Sequence, residues 1–357
     1  MHLSTKMKTR NFILSMIALC SMTIAQAQRT DVMTATLQHG DNVTVFTSQT
    51  AFANAYAAAV DGDVITLSPG TFNATNLTKS VNIYGSGFEE DETNGTGITQ
   101  INGNLNIGVT DINLSNVHIE GVYFYDYVRN NASSPLTNVT IKKCSFRREF
   151  SICSEITNVT FCNCYTGTIY GRSDIMANNL LVTNCYVNGC VKAFQSGSTV
   201  LIDHCIITGY IAAYSGNGNI TGDLACSAFT WKNCVFTYWF ANQQWDNGNL
   251  NRVGVGATVY NCIYRQNMGN ISFTAYDLIQ VERGTQIFSD ANNDTYTPTR
   301  TFTLIQPTVW LGTDGTQIGV SGGNYPWSRV PATPVVKSLQ LDVDGTNLNV
   351  TFDAETR

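Results

Sequence analysis

Asn138-Val-Thr-Ile-Lys-Lys-Cys-Ser-Phe146 and Asn158-Val-Thr-Phe-Cys-Asn-Cys-Tyr165 are two copies of one phrase. It returns as Asn179-Leu-Leu-Val-Thr-Asn-Cys-Tyr186, Thr199-Val-Leu-Ile-Asp-His-Cys-Ile206, Ala228-Phe-Thr-Trp-Lys-Asn-Cys-Val235 and Ala257-Thr-Val-Tyr-Asn-Cys-Ile263. An earlier copy, Asn116-Val-His-Ile-Glu-Gly-Val-Tyr-Phe124, carries Val122 in place of the cysteine. The six cysteines Cys144, Cys164, Cys185, Cys205, Cys234 and Cys262 are spaced by 20, 21, 20, 29 and 28 residues. A constant phase at this period means one structural unit stacked on itself.

Within each copy apolar and polar residues alternate, the period of a strand with one buried face. Val139 and Ile141 are expected to point inward, and Thr140 and Lys142 outward. A bend follows at Lys143, Asn163, Asn184, His204, Asn233 and Asn261. Asparagine suits a bend because it tolerates left-handed backbone angles, and its amide can bond to the next rung as a ladder. About 20 residues per turn is too few for a helical repeat, and recurrent Leu-x-x-Leu-x-Leu is absent. The pattern predicts an all-β chain wound as a parallel β-helix. Stacked coils place equivalent side chains about 4.8 Å apart with parallel Cβ vectors. A disulfide needs converging vectors. The six cysteines therefore read as a buried file of free thiols, while Cys153, Cys162, Cys190 and Cys226 lie off it.

Composition narrows the class. The chain has 357 residues, of which 43% are hydrophobic and only 13% charged, with net charge −6. No basic stripe is present, which argues against nucleic acid as a partner. Lys6, Lys8 and Arg10 precede an apolar run from Phe12, and Ala25-Gln26-Ala27 is a small-x-small cleavage signal. Residues 1–27 read as a signal peptide, so the chain is expected to be exported: secreted, periplasmic or at the cell surface. Leu19 before Cys20 is large for a lipidation site. No later run is apolar enough to span a membrane.

Residues 28–330 are read as the coil with end caps, and 331–357 as a linker and β-hairpin. Ser48 is the expected N-cap of a covering helix whose buried face is Phe52, Ala55, Tyr56 and Ala59. Asp314 to Trp327 is the expected closing cap. Pro331 and Pro334 mark the linker, and Val336 to Phe352 reads as a hairpin, with strands Leu339 to Val343 and Leu348 to Phe352 about a turn at Asp344-Gly345.

A helix, then Gly62-Asp-Val-Ile-Thr-Leu-Ser-Pro-Gly-Thr-Phe72, then Val81-Asn-Ile-Tyr-Gly-Ser-Gly-Phe88, resembles the opening of the pectin-lyase-like superfamily of right-handed parallel β-helices. The resemblance covers roughly residues 45 to 300. It implies a bacterial exported protein associated with carbohydrate or the cell surface. The superfamily hosts lyases, hydrolases, epimerases and non-catalytic adhesins, so the fold alone does not assign an activity. Leu201-Ile-Asp-His-Cys205 resembles the Trp-Ile-Asp-His stretch of pectate lyases, whose Asp helps hold calcium. Here Leu201 replaces the Trp, and no Arg-x-Pro-x-x-Arg follows. His204 and Asp203 also keep register with the other corners, which makes them frame residues.

The strand after each corner mixes aromatic and planar polar side chains. Arg147, Tyr170, Arg172, Asp174, Lys192, Phe194, Tyr214, Trp239, Trp245 and Arg265 are the candidate substrate contacts. Aromatic faces stack on sugar rings, and planar polar groups fork to hydroxyls or carboxylates. The first expectation is a surface protein binding polysaccharide along the coil, without a recognisable catalytic set. The alternative is a lyase or glycoside hydrolase on an acidic polysaccharide, with Arg147, Arg172, Lys192 or Arg265 neutralising or deprotonating a uronate. A structural spacer or adhesin is the third. No cofactor is implied. Calcium is the one ion the acidic turns Glu89 to Glu92, Asp290 to Asp294 and Asp342 to Gly345 would suit, and these read as solvated loops.

Overall fold

A computed structural model describes residues 33–91, 97–109, 111–172, 174–189, 191–192, 194–208, 229–239, 257–265, 274–282, 284–290, 294–332, 335–344 and 347–355. Residues 1–27, read from the sequence as a signal peptide, lie outside these residues, as do Cys190, Cys226, Tyr214 and Trp245. Among the described residues the chain forms a parallel β-helix of three sheets, with twelve strands in sheet A, ten in sheet B and five in sheet C; the first two of sheet A, Thr34–His39 and Asn42–Thr47, are an antiparallel hairpin on its edge. Sheet A carries the repeated phrase as strands Leu114–Glu120, Leu136–Lys142, Ile156–Cys162, Ala177–Thr183, Val200–Asp203, Phe229–Lys232, Thr258–Tyr260 and Thr274–Tyr276. Each pairs in parallel with the next, in register: Ile141 faces Phe161, which faces Val182, Ile202, Trp231 and Val259 in turn. Those positions are fully buried, and their neighbours Thr140, Thr160 and Leu181 are half-buried on the outer side.

The corner between sheets A and B has one backbone solution throughout. Lys143, Asn163, Asn184, His204, Asn233 and Asn261 all adopt φ between +45° and +54°. The next residue is the inward cysteine, and all six cysteines have no exposed surface. The eight described cysteines are free thiols. Their sulfurs bond along the file: Cys185 Sγ accepts from the Cys164 amide at 3.3 Å, and Cys262 Sγ from that of Cys234 at the same distance. Each thiol also turns back on the carbonyl two residues earlier, as Cys185 does on Thr183 at 3.2 Å. Inside sheet B, Phe124 and Phe146 stack at 5.1 Å.

A second column of left-handed asparagines interrupts the strands of sheet A at Asn116, Asn138, Asn158 and Asn179. The amide ladder expected at the corners is here instead. Asn138 donates to Asn116 at 3.2 Å, Asn158 to Asn138 at 3.0 Å and Asn179 to Asn158 at 2.9 Å, all on the exposed surface.

The N-terminal end is covered by helix α1, Ala51–Ala58, which buries Phe52, Ala55 and Tyr56. Ser48 is not its cap: the Ser48 hydroxyl accepts from the Thr50 amide, ahead of the first turn. The expected C-terminal cap differs more. Residues 311–332 do not close the end of the coil but run back along its side as a strap, held at successive corners. Asn261 donates to Leu311 O at 3.3 Å, and Asn233 accepts from the Thr313 amide at 2.7 Å. His204 Nδ1 lies 3.2 Å from Gly319 O. Asn163 accepts from the Ser328 amide at 3.1 Å, Lys143 bonds Val330 O, and Glu120 accepts from the Ala332 amide. The cause is the alternation itself. With cysteine inward, the following residue points outward, and on the later rungs that residue is Ile206, Val235 and Ile263. Ile287, Phe288, Phe302, Leu304, Ile318 and Val320 cover them, forming a second apolar core outside the coil. Strands Val335–Asp344 and Asn347–Glu355 pair only with each other, as the hairpin reading expects. Among the described residues no helix is long and apolar enough to cross a membrane.

Candidate functional site

The early rungs of sheet B present aromatic and polar residues rather than Ile and Val. Position by position, the first outward column reads Tyr123, Ser145, Tyr165 and Tyr186. One further outward position along each strand stand Tyr125, Arg147, Gly167, Asn188, Thr208 and Thr237 on successive rungs, so the column has no side chain at the Tyr165 rung. At the N-terminal end the Arg147 guanidinium lies over the Tyr125 ring, 4.0 Å from its centre, and Tyr123 meets Tyr125 edge-on at 6.4 Å. Farther along, Tyr165 and Tyr186 stack at 5.6 Å, and Tyr296 packs on them at 4.4 and 5.3 Å.

Where Tyr296 leans against the sheet, a cavity of about 270 Å³ opens, lined by Tyr165, Tyr186, Asn188, Thr208, Thr237, Asp294, Thr295 and Tyr296. It is near the lower end of small-molecule sites, roughly 300 Å³. Its polar groups are ordered by their neighbours. Tyr186 donates to Asp294 O at 2.5 Å, and Thr208 donates to Asn188 Oδ1 at 2.8 Å. Tyr296 donates to Glu89, which also binds Arg329 at 2.8 Å. Burial raises the pKa of Tyr165, Tyr186 and Tyr296, so all three phenols remain neutral hydroxyls. Tyr186 is 2% exposed and belongs to the second core, so the ring surface on offer is that of half-buried Tyr165 and Tyr296, beside hydroxyl and amide groups, the combination that recognises a polyhydroxylated ring.

The sequence-derived candidates separate in this frame. Arg147 is exposed at the open end of the outer face of sheet B. Tyr170 lies on sheet C, in an outer column with Asn106, Arg129, Ser151 and Lys192, and packs partly on the core. The Lys192 and Trp239 side chains are outside the described residues. Arg172 and Asp174 pair with each other at 2.8 Å on the surface. Phe194 is a correction. It has no exposed surface and packs against Phe229 at 6.0 Å inside the coil, so it has no face for a sugar. Arg265 is a second correction. Its guanidinium is bound at Asp294 Oδ1 and Oδ2, both at 3.1 Å, and at the Glu282 and Thr285 carbonyls. It anchors the cavity wall instead of facing a substrate.

The sequence reading passed over Tyr165, Tyr186 and Tyr296. Tyr165 and Tyr186 follow the buried cysteines directly, so strict alternation from Cys164 and Cys185 would have turned both outward. Tyr296 comes from a segment without strand periodicity and had no such signal. The pectate-lyase-like fragment is covered by the strap: His204 is 2% exposed, with Nε2 3.1 Å from Asp314 and 3.2 Å from Asn233. Gly319 O accepts only, so Nδ1 carries a proton. The acids of two of the acidic turns are engaged as well, Glu89 and Asp91 by Arg329 and Asp290 by Arg300. Among the described residues no group of three or more His, Cys, Asp and Glu is placed to hold a metal ion. Compared with known protein families, curated proteins and solved structures, the chain has no match.

Proposed function

We propose that this chain is an exported parallel β-helix of the pectin-lyase-like kind that binds a saccharide along the outer face of sheet B. The observation that carries the reading is the cavity in which Tyr165, Tyr186 and Tyr296 rings stand beside Asn188, Thr208 and Thr237. The binding face extends from that cavity along the outward column to Tyr125 and Arg147. Binding without catalysis is favoured by the lining: hydrolysis needs two carboxylates about the scissile bond, and Asp294, the one carboxylate among the described lining residues, is held by Arg265.

Affinity gel electrophoresis against a panel of neutral and acidic polysaccharides tests it. Retardation by at least one is expected, weakened tenfold or more by Tyr165→Ala or Thr208→Val. Unretarded migration on every gel refutes the binding reading. New unsaturated-uronate absorbance in the same mixtures would replace it with the lyase reading.

A further inference from the structure

We infer that the cavity beside Tyr296 takes a neutral, hydroxyl-bearing saccharide unit and excludes uronate or sulfated units. This rests on the saccharide-binding reading above.

A carboxylate or sulfate entering a half-closed site loses hydration and needs a cation or several N–H donors in return. The cavity supplies hydroxyls, one amide and a carboxylate, and no described lining residue is cationic. The cations behind its wall are already engaged. Arg265 spans Asp294 at 3.0 Å and gives its remaining reach to two carbonyls. Arg300 is bound to Asp290 at 3.0 Å, and Arg329 to Glu89 at 2.8 Å. Three acids thus match three arginines in the wall, and Arg329 carries Asp91 as a second acid at 3.6 Å. Among the described residues the wall thus holds four acids to three arginines, within a chain of net charge −6. Arg147 stands two rungs before Asn188, about 10 Å away, and at physiological salt a charge at that range is largely screened. Tyrosine phenols kept neutral by burial donate and accept, which suits sugar hydroxyls and does not favour an anion.

The test is isothermal titration of the full mature chain with two length-matched oligosaccharide sets, one neutral and one uronate-containing, each at low and physiological salt. The neutral set is expected to bind at least tenfold tighter, with affinity unchanged by salt. Two variants should move the preference in a known direction. Asn188→Lys places a cation in the lining at an exposed position, and Asp294→Asn releases the charge of Arg265. Each should raise uronate affinity several-fold, with an unchanged melting temperature for Asn188→Lys serving as the folding control. A wild-type preference for the uronate set overturns the inference and leaves saccharide binding standing. Binding of neither set overturns both.

Discussion

Asn184 donates both of its side-chain protons to the strap, one to Val320 O at 2.8 Å and one to Gly322 O at 2.7 Å, across 136 and 138 residues of sequence. Its backbone meanwhile turns the coil at φ +50°. One residue therefore winds the helix and fastens its cover. Asn163, Asn233 and Asn261 repeat the arrangement at their own corners. The strap, with residues 287–304, covers the outer rungs of sheet B from Tyr186 to Ile263 and leaves Tyr165 and the rungs before it more open. Where the strap lies on the sheet decides which surface remains available to bind.

Replacing Asn184 separates its two duties. Asn184→Gly keeps the left-handed backbone at little steric cost but strips Gly322 O and the buried Thr183 hydroxyl of their Asn184 partner, while Val320 O keeps the Trp327 amide at 2.8 Å. A buried unsatisfied group costs about 1–3 kcal/mol, so a loss of about 2–4 kcal/mol is expected in urea unfolding. Hydrogen exchange should rise first in residues 318–330, ahead of sheet A. A uniform rise across the coil would mean that the strap and coil unfold as one unit.

The thiol file should be chemically silent. Burial pushes the thiols of Cys144, Cys164, Cys185, Cys205 and Cys234 far above the usual range, and that of Cys162 to about 12. The thiolate is the reactive form. Alkylation of the native protein at pH 8 followed by peptide mass mapping should label Cys153, which is half-exposed, and spare the five file cysteines named here. All should label in denaturant. Labelling of Cys185 in the native state at the rate of Cys153 would contradict the buried file.

Much of this was legible in the chain. The Cys-centred phrase located the strands of sheet A, the corners and the thiol file, because hydrophobic alternation and left-handed turns are local properties that residues such as Val139, Asn184 and Cys185 carry themselves. The strap was not legible, since its position depends on bonds such as that between Asn163 and Tyr325, 162 residues apart. Nor could the sequence tell an aromatic ring in the coil from one on its surface without strict register. Phe194 and Tyr165 look alike in composition, yet one is core and the other lines the cavity.

Acid should loosen the strap at its far end. Burial opposes ionisation of Glu120, but the His118 hydrogen bond and the charges of Lys142 and Lys143 outweigh it and hold this carboxyl below its usual value. Asp290 is likewise held low against its burial by Arg300 and by the amides of Phe302 and Thr301. A carboxyl with a depressed folded pKa contributes stability above its unfolded pKa, and that contribution disappears as pH falls through the folded one. Asp203 runs the other way, raised chiefly by burial, and offsets part of the effect at neutral pH. The melting temperature should therefore be level near neutrality and fall below about pH 5. Glu120→Gln should melt lower at pH 7 and show a shallower acid limb. An unchanged acid limb in that variant would remove Glu120 from the account.

Phe194 and Arg147 give the sharpest separation of frame from face, because both came from the same sequence argument for sugar contact. Phe194 is wholly buried, and truncation leaves a void among Phe229 and its neighbours. Phe194→Ala should cost about 3–5 kcal/mol. Saccharide affinity of the remaining folded fraction should not change. Arg147 is exposed, and its guanidinium lies over the Tyr125 ring. Arg147→Ala should shift stability by about 0.5 kcal/mol or less, as surface changes do. Any effect of Arg147→Ala on the affinity electrophoresis mobility would then report contact at the open end of the binding face. If Phe194→Ala instead lowered affinity with its unfolding midpoint intact, the ring would have to be reaching a ligand, and its packing against Phe229 inside the coil would be wrong.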